Sequence, residues 1–177
     1  MEKTAEKIRG YFNNREIGFR EAVHTDYSYH ASFSSSARLQ DCRVRLAPCG
    51  EGLRICVTLP FRVRREEASA VSEVIADLNE AMPENAGYFL DPLNGAVMLV
   101  VRDQAPDDDG QLDAMLSGVL RSAEADAEGI MDAIHTAKQH IRYREEEKAR
   151  EAEASRAGET SLLDRLLVKC GLKDPEE

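Results

Sequence analysis

The stretch Cys42–Leu59, CRVRLAPCGEGLRICVTL, decides the fold. Its first half alternates Cys42, Val44 and Leu46 with Arg43 and Arg45. Its second half alternates Leu53, Ile55, Val57 and Leu59 with Arg54, Cys56 and Thr58. A period of two is the repeat of a strand with one dry and one wet face. Between the halves, Pro48-Cys49-Gly50-Glu51-Gly52 supplies a hairpin loop. For the two apolar sets to share a face, even-numbered positions of the first strand must lie beside odd-numbered positions of the second. Cys42 then faces the core and Cys56 the opposite side, which disfavours a disulfide between them. The same parity sends Arg43, Arg45 and Arg54 to a solvated or partner-facing surface.

Upstream, Ile8, Tyr11 and Phe12 fall on one face of a helix over residues 3–14, and Asn13-Asn14 and Gly18 stop it. Tyr27, Tyr29, Ala31 and Phe33 alternate with polar residues as a half-buried strand, and Ser34-Ser35-Ser36 form a turn. Phe19–His24 is an extended lead-in or a short strand of its own. Downstream, Leu59-Pro60 leads out of the sheet, with Pro60 expected to stop the ladder. A helix from about Arg65 to Met82 carries Ala68, Val71, Val74, Ile75, Leu78 and Met82 as an apolar stripe, and Pro83 ends it. Tyr88-Phe89-Leu90, the turn Asp91–Gly95 and the strand Ala96–Arg102 make a second hairpin. After the acidic loop 103–110, Leu112, Leu116, Val119, Leu120, Ile130 and Ile134 mark a long helix from Gln111 to about Tyr143. Residues 144–158 read as a charged helical linker. Residues 159–177 form a short amphipathic helix and tail, with Leu162, Leu163, Leu166 and Leu167 on one side. The fold class is α+β: an antiparallel sheet in α-β-β-β-α-β-β-α order over residues 1–143.

Composition narrows the function. The 177 residues hold 23 Lys+Arg and 33 Asp+Glu, a formal charge of −10, with no Trp. This balance opposes general attraction to nucleic acid or to an anionic membrane. The longest apolar run, Ala96–Val101, is far short of the ~20 residues of a membrane span. With no secretory leader visible at the start, the chain reads as cytoplasmic. Charge is unevenly spread. Residues 38–65 hold seven arginines against two acids, while residues 103–132 hold nine acids against Arg121 alone. Matching of basic and acidic parts, within or between subunits, accounts for this better than nucleic-acid binding, because stacking aromatics do not interleave the arginines.

Chemistry-bearing motifs are sparse. Cys42, Cys49 and Cys56 recur every seven residues and Cys170 stands apart, but no Cys-x-x-Cys or nearby His completes a metal set. His24, His30, His135 and His140 have no nucleophile beside them in sequence. Asp107-Asp108-Asp109-Gly110 fails the calcium-loop pattern, which needs Gly at the sixth position and Glu at the twelfth; these are Leu112 and Gly118. No catalytic residue, cofactor or metal is assigned.

The segment Leu59-Pro60, the helix containing Leu78-Asn79, Gly87-Tyr88-Phe89-Leu90-Asp91, Asn94-Gly95 and the strand ending at Arg102 resembles YbjN-like domains of the type III secretion (Tir) chaperone-like superfamily. The resemblance spans about residues 3–142. It implies a small, acidic, bacterial, cytoplasmic homodimer that binds protein clients, chaperone-like or regulatory, without catalysis. Fold alone does not give function. The expected reading is therefore a non-enzymatic protein-binding module, with Phe61, Val63, Val71, Val74, Ile75, Leu78 and the four C-terminal leucines as interface candidates. Two alternatives stand beside it. One is a small-molecule-sensing or enzymatic domain with a pocket near the 88–102 hairpin. The other is an assembly adaptor docked by its C-terminal helix.

Overall fold

Val44 lies opposite Val57 and Leu46 opposite Ile55, the pairing parity expected of the central hairpin. The structure, a computed structural model, describes residues 2–22, 28–33 and 41–169, without the side chains of 157–165 and 168. Its elements are α1 (Glu2–Asn14), β1 (Phe19–Ala22), β2 (Ser28–Phe33), β3 (Cys42–Cys49), β4 (Gly52–Arg62), α2 (Ala68–Ala81), β5 (Ala86–Leu90), β6 (Ala96–Gln104) and α3 (Asp109–Lys169). The strands form one antiparallel six-stranded sheet in the order β1-β2-β3-β4-β6-β5. The α+β architecture is as expected, with Phe19–Ala22 resolved as a strand in its own right.

Two contact units divide the chain, Met1–His135 and Thr136–Glu177. In the first, Ile8, Tyr11 and Phe12 of α1, Val71 and Ile75 of α2, and Leu112, Leu116 and Ile130 of α3 share a core with the inner-facing residues of the sheet. These include Tyr29, Val44, Leu46, Ile55, Val57, Tyr88 and Leu99. Phe12 anchors an aromatic corner, stacked on Phe19 at 5.1 Å and tilted against Tyr29 and Phe33 at 6.5 Å each. In the second unit the backbone is helical from Thr136 to Lys169, and side chains from Arg142 to Arg156 are exposed. The 144–158 linker is thus helical, and the helix continues through Gly158 rather than restarting. The first unit ends at His135, before the expected boundary at 143. Among the described side chains of α3, Ile134 is the last large one to be buried. The turn at Ser34–Ser36, Tyr27, the side chains of Leu162 and Leu163, and Cys170 lie outside the described residues.

Two departures have clear causes. Pro60 does not end β4. It sits inside a register irregularity between Thr58 and Arg62, where a missing N–H interrupts no ladder bond. The expected five-residue loop of the central hairpin shrinks to Gly50-Glu51, because β3 runs on to Cys49 and pairs it with Gly52. The second hairpin turns at Gly95, whose φ is +67°. A Cβ there would also meet the Val63 carbonyl oxygen at 2.0 Å. Only glycine satisfies both demands.

Three polar contacts fasten this layer. Tyr11 donates its hydroxyl to Asp113 at 2.8 Å, and Tyr88 donates to Asp126 at 3.0 Å, so two buried tyrosines tie α1 and β5 to α3. The Asn79 side chain lies along β5, accepting from the Tyr88 N–H at 2.6 Å and donating to the Tyr88 carbonyl at 3.0 Å. An amide side chain here completes the backbone pairing of an edge strand and blunts that edge.

Val71 is fully buried beneath the sheet, so Val71→Glu is expected to unfold the protein rather than split an oligomer. An unpaired buried charge costs on the order of 3–5 kcal/mol, checked as a lowered denaturation midpoint. Burial and its bond to Asp113 push the Tyr11 hydroxyl up to about 12. The unfolded side chain ionises near ~10, so this stability is fully present below pH ~10 and is lost as pH rises towards 12. Denaturation midpoints should therefore fall from pH ~10 upward, and less steeply in Tyr11→Phe.

Candidate functional site

Alternation leaves the second face of the sheet to the residues that the core rejects. Register places them in three rows. Arg20, His30, Arg45, Cys56 and Val100 run across β1, β2, β3, β4 and β6. On one side of this row lie Ser32, Arg43, Thr58, Met98 and Phe89. On the other lie Ala47, Arg54 and Arg102. The larger residues of this face are exposed or half-buried, whereas the small Ser28 and Ala47 are buried. Arg62, opposite Ala96, is on the same face. Among the described strand residues of the face there is no Asp or Glu, against six arginines.

The face has two chemical zones. At its β1 edge, Arg20, His30, Ser32 and Arg43 line a depression of about 880 Å3 together with Glu21, whose carboxylate accepts from Arg9 and Tyr29. Among the described residues, Arg20, Arg43, Arg54 and Arg102 have no carboxylate within ion-pair distance. Arg54 and Arg102 are direct cross-strand partners, a like-charge pairing that costs stability. The Nε of Arg54 is shielded from solvent and bonds to no described group. Over β5 and β6 the face turns apolar, with Met98 and Val100 half-buried and Phe89 53% exposed.

His30 lies 3.0 Å from the Ser28 hydroxyl, and burial, with the nearby Arg45 charge, lowers its pKa. Burial pushes the Cys56 thiol up, and the opposing pull of Arg45 and Arg54 does not reverse that. Burial also raises Cys42, with help from Asp41 and Glu124. No group of three or more His, Cys, Asp or Glu able to hold a metal occurs among the described residues. No described helix is long and apolar enough to cross a membrane.

The expected interface residues fall into three sets. Val63, Val71 and Ile75 are buried in the protein's own core. Phe61, Val74 and Leu78 pack against that core and keep part of their surface. Leu166 and Leu167 are exposed on the helix of the second unit. Two residues of the α2 stripe, Val71 and Ile75, are therefore used to cover the sheet. The expected pocket beside the 88–102 hairpin has a counterpart, a groove of about 500 Å3 whose lining includes Leu78, Met82, Leu99, Val101, Met115 and Val119. Sequence reading placed Arg43, Arg45 and Arg54 on this surface but missed Arg20 and Arg102 as their neighbours. Only the strand order brings those two alongside.

No protein-family model matches the chain, and no curated protein matches it. Solved structures do. An uncharacterized protein from Methanothermobacter thermautotrophicus superposes with a TM-score of 0.52 at 13% identity, covering 74% of this chain and 99% of its own. YbjN from E. coli matches with a TM-score of 0.47 at 12% identity, covering 77% of this chain and 92% of its own. At such identities the likeness is one of fold. The arrangement of strands and helices is shared with the Methanothermobacter protein.

The three described cysteines should react in a fixed order. Exposed Cys49 should label first with a thiol reagent at neutral pH, Cys56 more slowly, and Cys42 only on unfolding. Peptide mapping after timed labelling of a Cys170→Ser protein checks this; early loss of Cys42 would contradict the packing described.

Proposed function

We propose that the protein is a non-enzymatic binding module, chaperone-like or regulatory, that docks a protein partner on the outer face of its sheet. One observation carries the reading. A six-stranded sheet buries one face under its helices and leaves on the other Arg20, Arg43, Arg54 and Arg102, which have no carboxylate within ion-pair distance among the described residues, in a chain of net charge −10. A solvated face needs only scattered polar residues of both signs. A single-sign field with an apolar border is the chemistry of a recognition surface, where charge steers approach and apolar contact holds.

The groove beside β6 supports a second reading, an apolar small molecule held between α2, the sheet and α3. Its lining is apolar apart from Asn85, Ser122 and Asp126, and Asp126 already accepts from Tyr88. It therefore offers few convergent polar groups to fix a ligand's orientation.

Tagged protein carrying Arg20→Glu and Arg102→Glu should lose at least tenfold of the partner that the wild type retains from its native extract, with an unchanged melting curve. Retained partner with both charges reversed would remove the sheet face from the reading. Loss only in Met115→Trp, which fills the groove, would favour the small-molecule reading.

A further inference from the structure

We infer that the occupant of the outer face is an acidic polypeptide segment that also carries apolar or aromatic side chains, running across the strands from the Arg20–Arg43 depression towards Phe89. This deepens the docking reading above and rests on it.

Four observations select this chemistry. First, the described strand residues of the face supply six arginines and no acid. Carboxylates are the natural partners, because a planar guanidinium matches them two bonds at a time. Second, Arg54 is held beside Arg102 with its Nε out of water and unbonded among the described residues. A like-charge pair held side by side is costly, and a carboxylate lying between the two guanidinium groups relieves the repulsion. Third, a second copy of the same face does not fit. Two such faces brought together would oppose arginine with arginine, so an isologous sheet-to-sheet dimer is disfavoured. Fourth, the face is not uniformly basic. Phe89, Met98 and Val100 border the arginines on the β5–β6 side. A phosphate backbone makes little use of aliphatic side chains, and one exposed phenylalanine is a poor stacking platform. Leu, Phe or Tyr side chains of a peptide would cover all three.

The dimensions fit a short segment. From β1 to β5 the face crosses five inter-strand steps of about 4.8 Å, roughly 24 Å. About 16 helical residues, or about seven extended ones, cover that distance.

The test uses two fluorescein-labelled polymers, a random Glu/Tyr copolymer and poly-glutamate, with a 20-nucleotide oligothymidylate as competitor. Fluorescence anisotropy reads binding to the full chain. The copolymer should bind, more weakly as salt rises. Arg43→Glu with Arg54→Glu should weaken it at least tenfold, and the milder Arg43→Gln with Arg54→Gln should weaken it in the same direction. Phe89→Ala should weaken the copolymer several-fold while leaving poly-glutamate unchanged. Arg121→Glu, on α3, should change neither, and far-UV circular dichroism should match for all variants. Copolymer affinity weaker than about 1 mM, or equal in the wild type and both arginine variants, overturns the inference. Salt-independent binding of an uncharged Ser/Tyr peptide, lost in Phe89→Ala, would overturn the acidic partner and leave the docking reading standing. Displacement of the copolymer by oligothymidylate at lower concentration than by unlabelled copolymer would overturn both.

Discussion

The pairing parity of β3 with β4 is the constraint on which the rest of this structure depends. Val44 against Val57 and Leu46 against Ile55 put every large aliphatic residue of the hairpin on one face. A slip of one residue in β4 would bring Arg54 and Cys56 to the core and expose Leu53, Ile55 and Val57. No packing could offset a guanidinium group buried without a partner. The register is therefore held by the cost of its alternative as much as by its own contacts. Once it is fixed, β2 and β6 join on either side with matching parity, and the helices have only one apolar surface to cover.

The acidic stretch 103–132 acquires a structural explanation from the same geometry. Asp113 and Asp126 accept hydrogen bonds from Tyr11 and Tyr88, so part of its charge fastens α3 to the layer beneath it. Those tyrosines need partners because burial of a hydroxyl without one is costly. Basic and acidic residues thus sit in different layers of the first unit: arginines on the outer face of the sheet, carboxylates on α3 across the core. The expectation that the two regions neutralise each other within one unit is not met at Arg20, Arg43, Arg54 and Arg102. Residual charge on the sheet face is a consequence of topology.

The sequence was most legible where a period and a burial preference agreed. The central hairpin, the opposed faces of Cys42 and Cys56, α1 and the second hairpin all follow from alternation or from i, i+3, i+4 spacing. Periodicity could not say what covers an apolar stripe. Val71 and Ile75 fit a subunit interface as well as a core, and only the presence of the sheet beneath α2 decides for the core. Pro60 reads as a strand end because local rules do not see a bulge. Gly158 reads as a break, although a single helical glycine costs only about 1 kcal/mol. Asn79 stood out in the sequence by resemblance; its work, closing the open edge of β5 with both ends of its amide, depends on a strand distant by nine residues. Arg20 and Arg102 carry no motif at all, and belong to the site only through strand order.

Local rules that a sequence breaks without local compensation are where function is to be sought. The tyrosine–aspartate bonds, the Asn79 edge cap and the Gly95 turn each settle a demand of the fold. Arg54 beside Arg102 settles none. A Thr or Val at either position would suit a half-buried strand site better, and a Glu at one would pair the other across the strands. Arg43, two residues from Arg45 on the same strand and face, adds to the same field, and Arg20 extends it to the first strand. In a chain with ten surplus negative charges, concentrating the positive charge of Arg20, Arg43, Arg54 and Arg102 on one face lowers the stability of the isolated protein. That cost is recovered only when something acidic lies against it, which makes the outer face of the sheet an incomplete structure rather than a neutral surface.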